Sequence, residues 1–154
     1  MTDPLQRAES AKALFLEGYN CAQAVFCAFE DVTGLPRQTA ARIASGFGGG
    51  IGRMREVCGA VSGAVMTLDM ALGYDDPQAA AAKAAHYRLI QEFARRFREE
   101  NGSILCRELL AGVQTTPGSD PQARTPAYYR KRPCPELVAL SAQITQQMLN
   151  EQNA

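Results

Sequence analysis

The segment Val57–Leu72, VCGAVSGAVMTLDMAL, constrains the fold of this chain more than any other. It is apolar on nearly every side, so a helix formed there must be covered all round and lie centrally in a bundle. Gly59, Gly63, Thr67 and Ala71 recur every fourth residue and leave a smooth stripe on which a second helix can approach closely. Gly73 marks its end. The run is too short to cross a bilayer and carries Asp69, which needs a partner if it is buried.

The rest of the chain repeats the helical period. Pro4 behind Asp3 suits a first helical position, and the pattern runs to Glu17 before Gly18. Asn20 and Gln23 have capping-box spacing and predict a helix through Phe29. Gly34 and Pro36 precede a short helix near Thr39–Ala44. Asp75 or Asp76 followed by Pro77 predicts the start of a long helix reaching Glu100, with Ala85, Leu89, Phe93 and Phe97 inward. On this helix His86 reads as a core or boundary residue. Ser103 predicts a cap for a short helix through Leu110, Gly112–Pro133 a long loop, and Pro135–Asn150 a final helix. No stretch alternates as a strand does. The expected fold is all-α, a single-domain bundle of about five to seven helices over residues 1–154, since one helix beyond the loop is too little for a second core.

Composition narrows the function. Sixteen Lys and Arg balance sixteen Asp and Glu, so no net field draws nucleic acid or an anionic membrane. The single histidine, His86, excludes sites built on two histidines of one chain, and neither paired catalytic carboxylates nor a Ser/His/Asp set stands out. The N-terminal stretch has no apolar core of a signal peptide and no segment suits membrane insertion, so the expected compartment is the cytoplasm. There, five cysteines point to metal or redox chemistry rather than to permanent disulfides.

Four of the five fall at expected helix starts. Cys21 follows Asn20, Cys58 opens the apolar helix, Cys106 lies in the turn after Ser103, and Cys134 precedes Pro135 as an expected N-cap. Helix starts present unpaired N–H groups and partial positive charge, which favour thiolate over thiol. Cys27, between Phe26 and Ala28, reads as a small core residue. There is no CxxC pair, so zinc-finger, ferredoxin and c-type haem spacings are absent and any shared site must form through the fold.

GFGGGIGR (Gly46–Arg53) lacks the Gly-Lys-Ser/Thr of a phosphate loop, does not match GxGxxG and follows no strand. Its glycines predict backbone packed tightly on a neighbour, or N–H groups turned to an anionic centre. Gly48, Gly49, Gly50 and Arg53 are therefore candidate cofactor-binding residues. Arg55, Arg107 and Arg132 are further cations near the cysteines.

NCAQAV at Cys21, GFGGGIGR, CGAVSGA from Cys58, then Cys106 and Cys134 resemble the C_GCAxxG_C_C family of redox-active proteins, roughly from Gly18 to Leu137. Cys58–Gly63 matches the family's CGAxxG element, and its four characteristic cysteines fall on Cys21, Cys58, Cys106 and Cys134, leaving Cys27 outside. The resemblance implies a small helical domain with a redox role, and it is similar also to an iron–sulfur domain attached to some haem proteins. Three chemistries stay open. The four thiolates can ligate an iron–sulfur cluster, most simply 2Fe–2S, for electron transfer or redox sensing with a partner protein. Cys58 can act as the nucleophile of thiol–disulfide exchange, one of the other three resolving it. The same four can hold a structural zinc in a binding module. A helical interaction module with cysteines merely in its core is the remaining alternative.

Overall fold

The computed structural model describes residues 2–154. They form nine α-helices, six of them seven residues or longer, and no strand. The order is α1 (Pro4–Leu16), α2 (Cys21–Cys27), α3 (Glu30–Thr33), α4 (Arg37–Ile43), a 3-10 turn at Ser45–Phe47, α5 (Gly59–Leu72), α6 (Ala80–Asn101), α7 (Cys106–Leu109), α8 (Pro126–Lys131) and α9 (Cys134–Gln152). The all-α single domain expected from the periodicity is what forms. No helix among the described residues is long and apolar enough to cross a membrane.

Helix α1 lies along α9, α2 lies on α5, and α5 also packs on α9, so these four make the body of the bundle. Phe15, Phe26, Phe29, Leu68, Phe93, Phe97 and Met148 fill its interior. The small-residue stripe of α5 meets α2, as expected. A Cβ at Gly59 would stand 3.0 Å from Ala22 N and from Cys21 Cβ, and one at Gly63 would stand 2.7 Å from Ala22 O. On the α9 side, Ser141 Oγ donates to the Ala60 carbonyl at 2.7 Å, joining two buried helices by a side-chain bond.

Several expected boundaries move. The central helix starts at Gly59 rather than Val57, because Val57 is held in an isolated antiparallel bridge with Leu105 and Cys58 is the extended N-cap. It is covered only as far as Leu68; the last turn emerges, exposing Met70 and Leu72. There Asp69 reaches buried His86 of α6 at 2.6 Å. The long helix begins at Ala80, not at Pro77, since Asp76 instead closes a turn by accepting from Gln78 N through its side chain and from Ala79 N through its carbonyl. Of its expected inward row, Phe93 and Phe97 are buried and Leu89 is partly so, while Ala85 is exposed where the first half of α6 projects from the bundle. The Asn20–Gln23 capping box forms, but α2 ends at Cys27. Ser103 accepts from Leu105 N at 2.9 Å, yet the helix it introduces starts only at Cys106. The long loop contains α8, opened by Thr125 as N-cap and Pro126 in the first turn.

The contact at Gly63 gives a direct test of the central packing. Overpacking a core costs about 1–3 kcal/mol, while exchanging helical Gly for Ala gains about 1 kcal/mol. Gly63→Ala is therefore expected to lose up to about 2 kcal/mol, seen as a lower urea midpoint at unchanged slope. A midpoint at or above wild type would mean that α2 and α5 do not need their close approach.

Candidate functional site

The site is assembled at four helix starts. Cys21 is the first residue of α2, held by the reciprocal Asn20–Gln23 bonds at 2.9 and 3.0 Å. Cys58 is the N-cap of α5, and Gly59 beside it lets the start of α5 lie directly on the start of α2. Cys106 opens α7. Cys134 opens α9 one position later than its expected N-cap place, because the Pro133 carbonyl already accepts from Leu137 N at 3.0 Å.

Two of these starts are tied together by main chain. Around the Val57–Leu105 bridge, Cys58 N donates to Ile104 O at 2.8 Å and Cys106 N donates to Glu56 O at 2.6 Å. The other two, Cys21 and Cys134, face the same cavity and shift each other's ionisation in opposite directions. All four side chains line one cavity of about 380 Å³. Cys27 does not: it is buried at the far end of α2, its sulfur 3.8 Å from the Arg37 carbonyl.

The wall opposite α2 is the glycine loop, and its backbone is unusual. Gly49, Gly50, Ile51, Gly52 and Arg53 all have φ between 55° and 72°, and Arg55 follows at 63°. Left-handed φ is disfavoured for residues bearing a Cβ and most of all for a β-branched one such as Ile51. Long-reaching bonds hold it, with Gly52 N donating to Gly46 O at 2.8 Å and Glu56 N to Gly50 O at 2.9 Å. The candidate residues Gly48, Gly49 and Gly50 do line the cavity. The space a Cβ would need is taken by Asn20, Arg53 and Cys106 respectively, so close packing against protein accounts for the glycines.

The arginines divide by what they touch. Arg53 also lines the cavity, and its guanidinium donates to Gly118 O at 2.6 Å, Thr116 O at 3.2 Å and Thr116 Oγ1 at 2.9 Å. Arg107 pairs with Glu56 at 3.0 Å. Arg55 Nη1 lies 3.9 Å from Cys106 Sγ. Arg132 is buried beside Cys134, donates to Gln122 and stacks on Tyr128. Arg124, which no local pattern singled out, also acts on Cys134; it lies over the Phe15 ring and donates to Tyr19 O at 2.7 Å. Its contacts lie more than a hundred residues away in sequence, and only the fold reveals them.

Electrostatics separate the four thiols. At Cys134 the hydrogen bond from Cys21, with Arg132 and Arg124 nearby, outweighs burial and brings the thiol down to about 7. Cys21, as the donor in that pair and buried besides, is held well above its ordinary value. Burial pushes Cys58 up to about 12 despite the Ala60 and Val61 N–H groups. It raises Cys106 too, against the pull of Arg55. The thiolate preference expected at each helix start thus survives only at Cys134; at Cys21 the interaction with Cys134 overrides it, and at Cys58 and Cys106 desolvation does.

Residues 114–124 form a strap over the cavity mouth. Their main chain makes no backbone–backbone hydrogen bond among the described residues, yet Ser119, Pro121 and Gln122 line the cavity. The strap is tied instead by Arg53, by Arg132 on Gln122, and by Arg124 at its end.

The fold and cavity define a helical domain built around four convergent thiols. The chain belongs to the C_GCAxxG_C_C family, whose model, described as "Putative redox-active protein (C_GCAxxG_C_C)", matches residues 19–148. No curated protein matches the chain significantly, and no solved structure does.

Two measurements follow on metal-free protein. Iodoacetamide should label Cys134 first, with a rate that rises through about pH 7 as the thiolate forms and falls below it, while Cys58 stays unlabelled up to about pH 12. Peptide mapping after a timed pulse reads this order. Arg53→Ala should raise the labelling rate of the cavity thiols by a bulky maleimide about tenfold, the equivalent of about 1.4 kcal/mol of closure lost, with helix content unchanged. An unaltered rate would show that Arg53 does not hold the strap.

Proposed function

We propose that Cys21, Cys58, Cys106 and Cys134 hold a 2Fe–2S cluster and that the protein passes single electrons to a partner protein or senses redox state. The observation that carries this reading is the meeting of all four thiols at one cavity, in two pairs. Cys21 and Cys134 alter each other's ionisation across the cavity, and Cys58 and Cys106 flank one backbone bridge. Four cysteine thiolates are the donor set of a 2Fe–2S centre and equally of a structural zinc; the redox description of the family favours the cluster.

Such a cluster supplies a one-electron couple when bound. The chain's own residues supply the surroundings. Arg55 and Arg132 bring positive charge to Cys106 and Cys134, and the Ala60 and Val61 N–H groups favour thiolate at Cys58. The strap and the apolar wall of Phe15, Leu110 and Leu137 keep bulk water from the thiols. Residues present therefore fit the group in donor type and in charge.

The opposed ionisation of Cys21 and Cys134 favours a second reading, thiol–disulfide exchange. In it the nucleophile is Cys134 rather than the expected Cys58, because burial keeps the Cys58 thiol protonated at neutral pH. The Cys134 thiolate attacks a disulfide of an oxidised partner and releases one partner thiol. Cys21 then resolves the mixed disulfide, leaving a Cys21–Cys134 disulfide and a reduced partner.

Purification without oxygen, followed by a visible spectrum and assays for iron, zinc and labile sulfide, tests the first reading. Two irons and two sulfides per chain, with loss of colour in each of the four Cys→Ser variants and not in Cys27→Ser, are expected. Colourless, metal-free protein whose Cys21 and Cys134 become linked on oxidation would replace it with the second.

A further inference from the structure

We propose that Arg55 positions and charge-compensates the group held by the four cysteines, its Nη1 facing Cys106 and its Nη2 donating to that group. The inference rests on the cluster reading above. Among the described residues, only two buried side-chain nitrogen or oxygen atoms lack a hydrogen-bond partner, Arg55 Nη2 and His86 Nδ1. His86 already has Asp69 on its other nitrogen and lies on α6, away from the thiols. Arg55 lines the four-thiol cavity.

A buried guanidinium nitrogen without a partner is costly, and native structures keep such an atom where some further group completes it. The chain goes to some length to hold it there. Residue 55 has φ of 63°, its N–H donates to Gly49 O at 3.1 Å, and its carbonyl accepts from Arg107 N at 3.2 Å. The backbone is thus fixed from both sides in a conformation unfavourable for arginine, and the side chain is directed at Cys106 rather than into solvent. The neighbouring arginines have their guanidinium groups partnered: Arg53 on the strap, Arg132 on Gln122 and beside Cys134, Arg124 on main-chain carbonyls, Arg107 on Glu56 and the Arg55 carbonyl. Arg55 alone keeps a buried donor free beside the thiols. Thiolates and bridging sulfides are negative and accept such a bond, and reduction adds one more negative charge. A fixed guanidinium therefore stabilises the reduced state more than the oxidised one and raises the midpoint potential.

The test compares anaerobically purified wild type with Arg55→Gln, Arg55→Lys and Arg88→Gln, measuring iron and sulfide content and the midpoint potential. Arg55→Gln is expected to lower the potential; a tenfold loss of preference for the electron corresponds to about 59 mV for a one-electron couple. Arg55→Lys should recover much of the fall, and Arg88→Gln, at an exposed arginine of α6 outside the cavity, should leave the potential at the wild-type value. An unchanged potential in Arg55→Gln with iron and sulfide intact overturns the role of Arg55 while the cluster stands. If Arg55→Gln loses its iron during purification, Arg55→Lys decides: wild-type iron content supports the inference, and iron lost there as well overturns it. Wild type without iron and sulfide overturns the cluster reading itself, and the role of Arg55 falls with it.

Discussion

The left-handed turn at Gly49–Arg53 is the constraint on which the site depends. Five successive residues at positive φ turn the chain back on itself, bringing residues 55–58 against 104–107. Three of the positive-φ residues between 49 and 55 are not glycine, and each such residue costs on the order of 1–3 kcal/mol. A segment of this kind persists only where its surroundings over-determine it. Here the Cys58 N–H and Cys106 N–H bonds across the bridge do so from one side, and the tight seat of Gly48 on Asn20 does so from the other. The same contacts place Cys58 and Cys106, so the backbone strain and the cysteine geometry have a common origin.

The thiols show how two familiar electrostatic effects compete. Four helix starts converge, each offering N–H groups and partial positive charge. Burial opposes them, because removing a thiolate from water costs more than one helix start returns. The balance tips to the thiolate only at Cys134, where a thiol and two guanidinium groups add to the helix start. Cys21 and Cys134 consequently behave as a pair with one proton readily shared, whereas Cys58 and Cys106 behave as buried thiols in the absence of a ligand.

Much of this was legible in the chain because it depends on local pattern. The period of 3.6 gave the helices, the Asn20–Gln23 spacing gave the cap that orients Cys21, and Gly59 and Gly63 marked the face on which α2 lies. Helix starts singled out the same four cysteines that the fold brings to one cavity. What escaped depends on contacts distant in sequence. A bridge of one residue pair leaves no alternation to detect, and the glycine-rich loop betrays its close approach without revealing that Ile51 and Arg53 share the left-handed turn. Arg124 is one arginine among thirteen until its stacking on Phe15 is seen. Asp69 lies exposed on the emerging last turn of α5, and its bond to buried His86 joins two helices that no local pattern links.

The division of labour among the arginines follows from where each is anchored. Arg53, Arg124 and Arg132 join structural walls that share no main-chain bonds, and through them a strap without secondary structure becomes part of the cavity. Guanidinium suits this work, since its planar fork can meet several carbonyls at once and stack on an aromatic ring while keeping its charge. That charge is felt at Cys134, from Arg132 both directly and through space and from Arg124 through space alone. Arg55 differs in being anchored by its own backbone rather than by its side chain, which leaves its guanidinium nitrogens for the interior. The cavity thus sets four thiols beside fixed positive charge, a pairing that suits the proposed cluster because thiolate ligation adds negative charge that the arginines can offset.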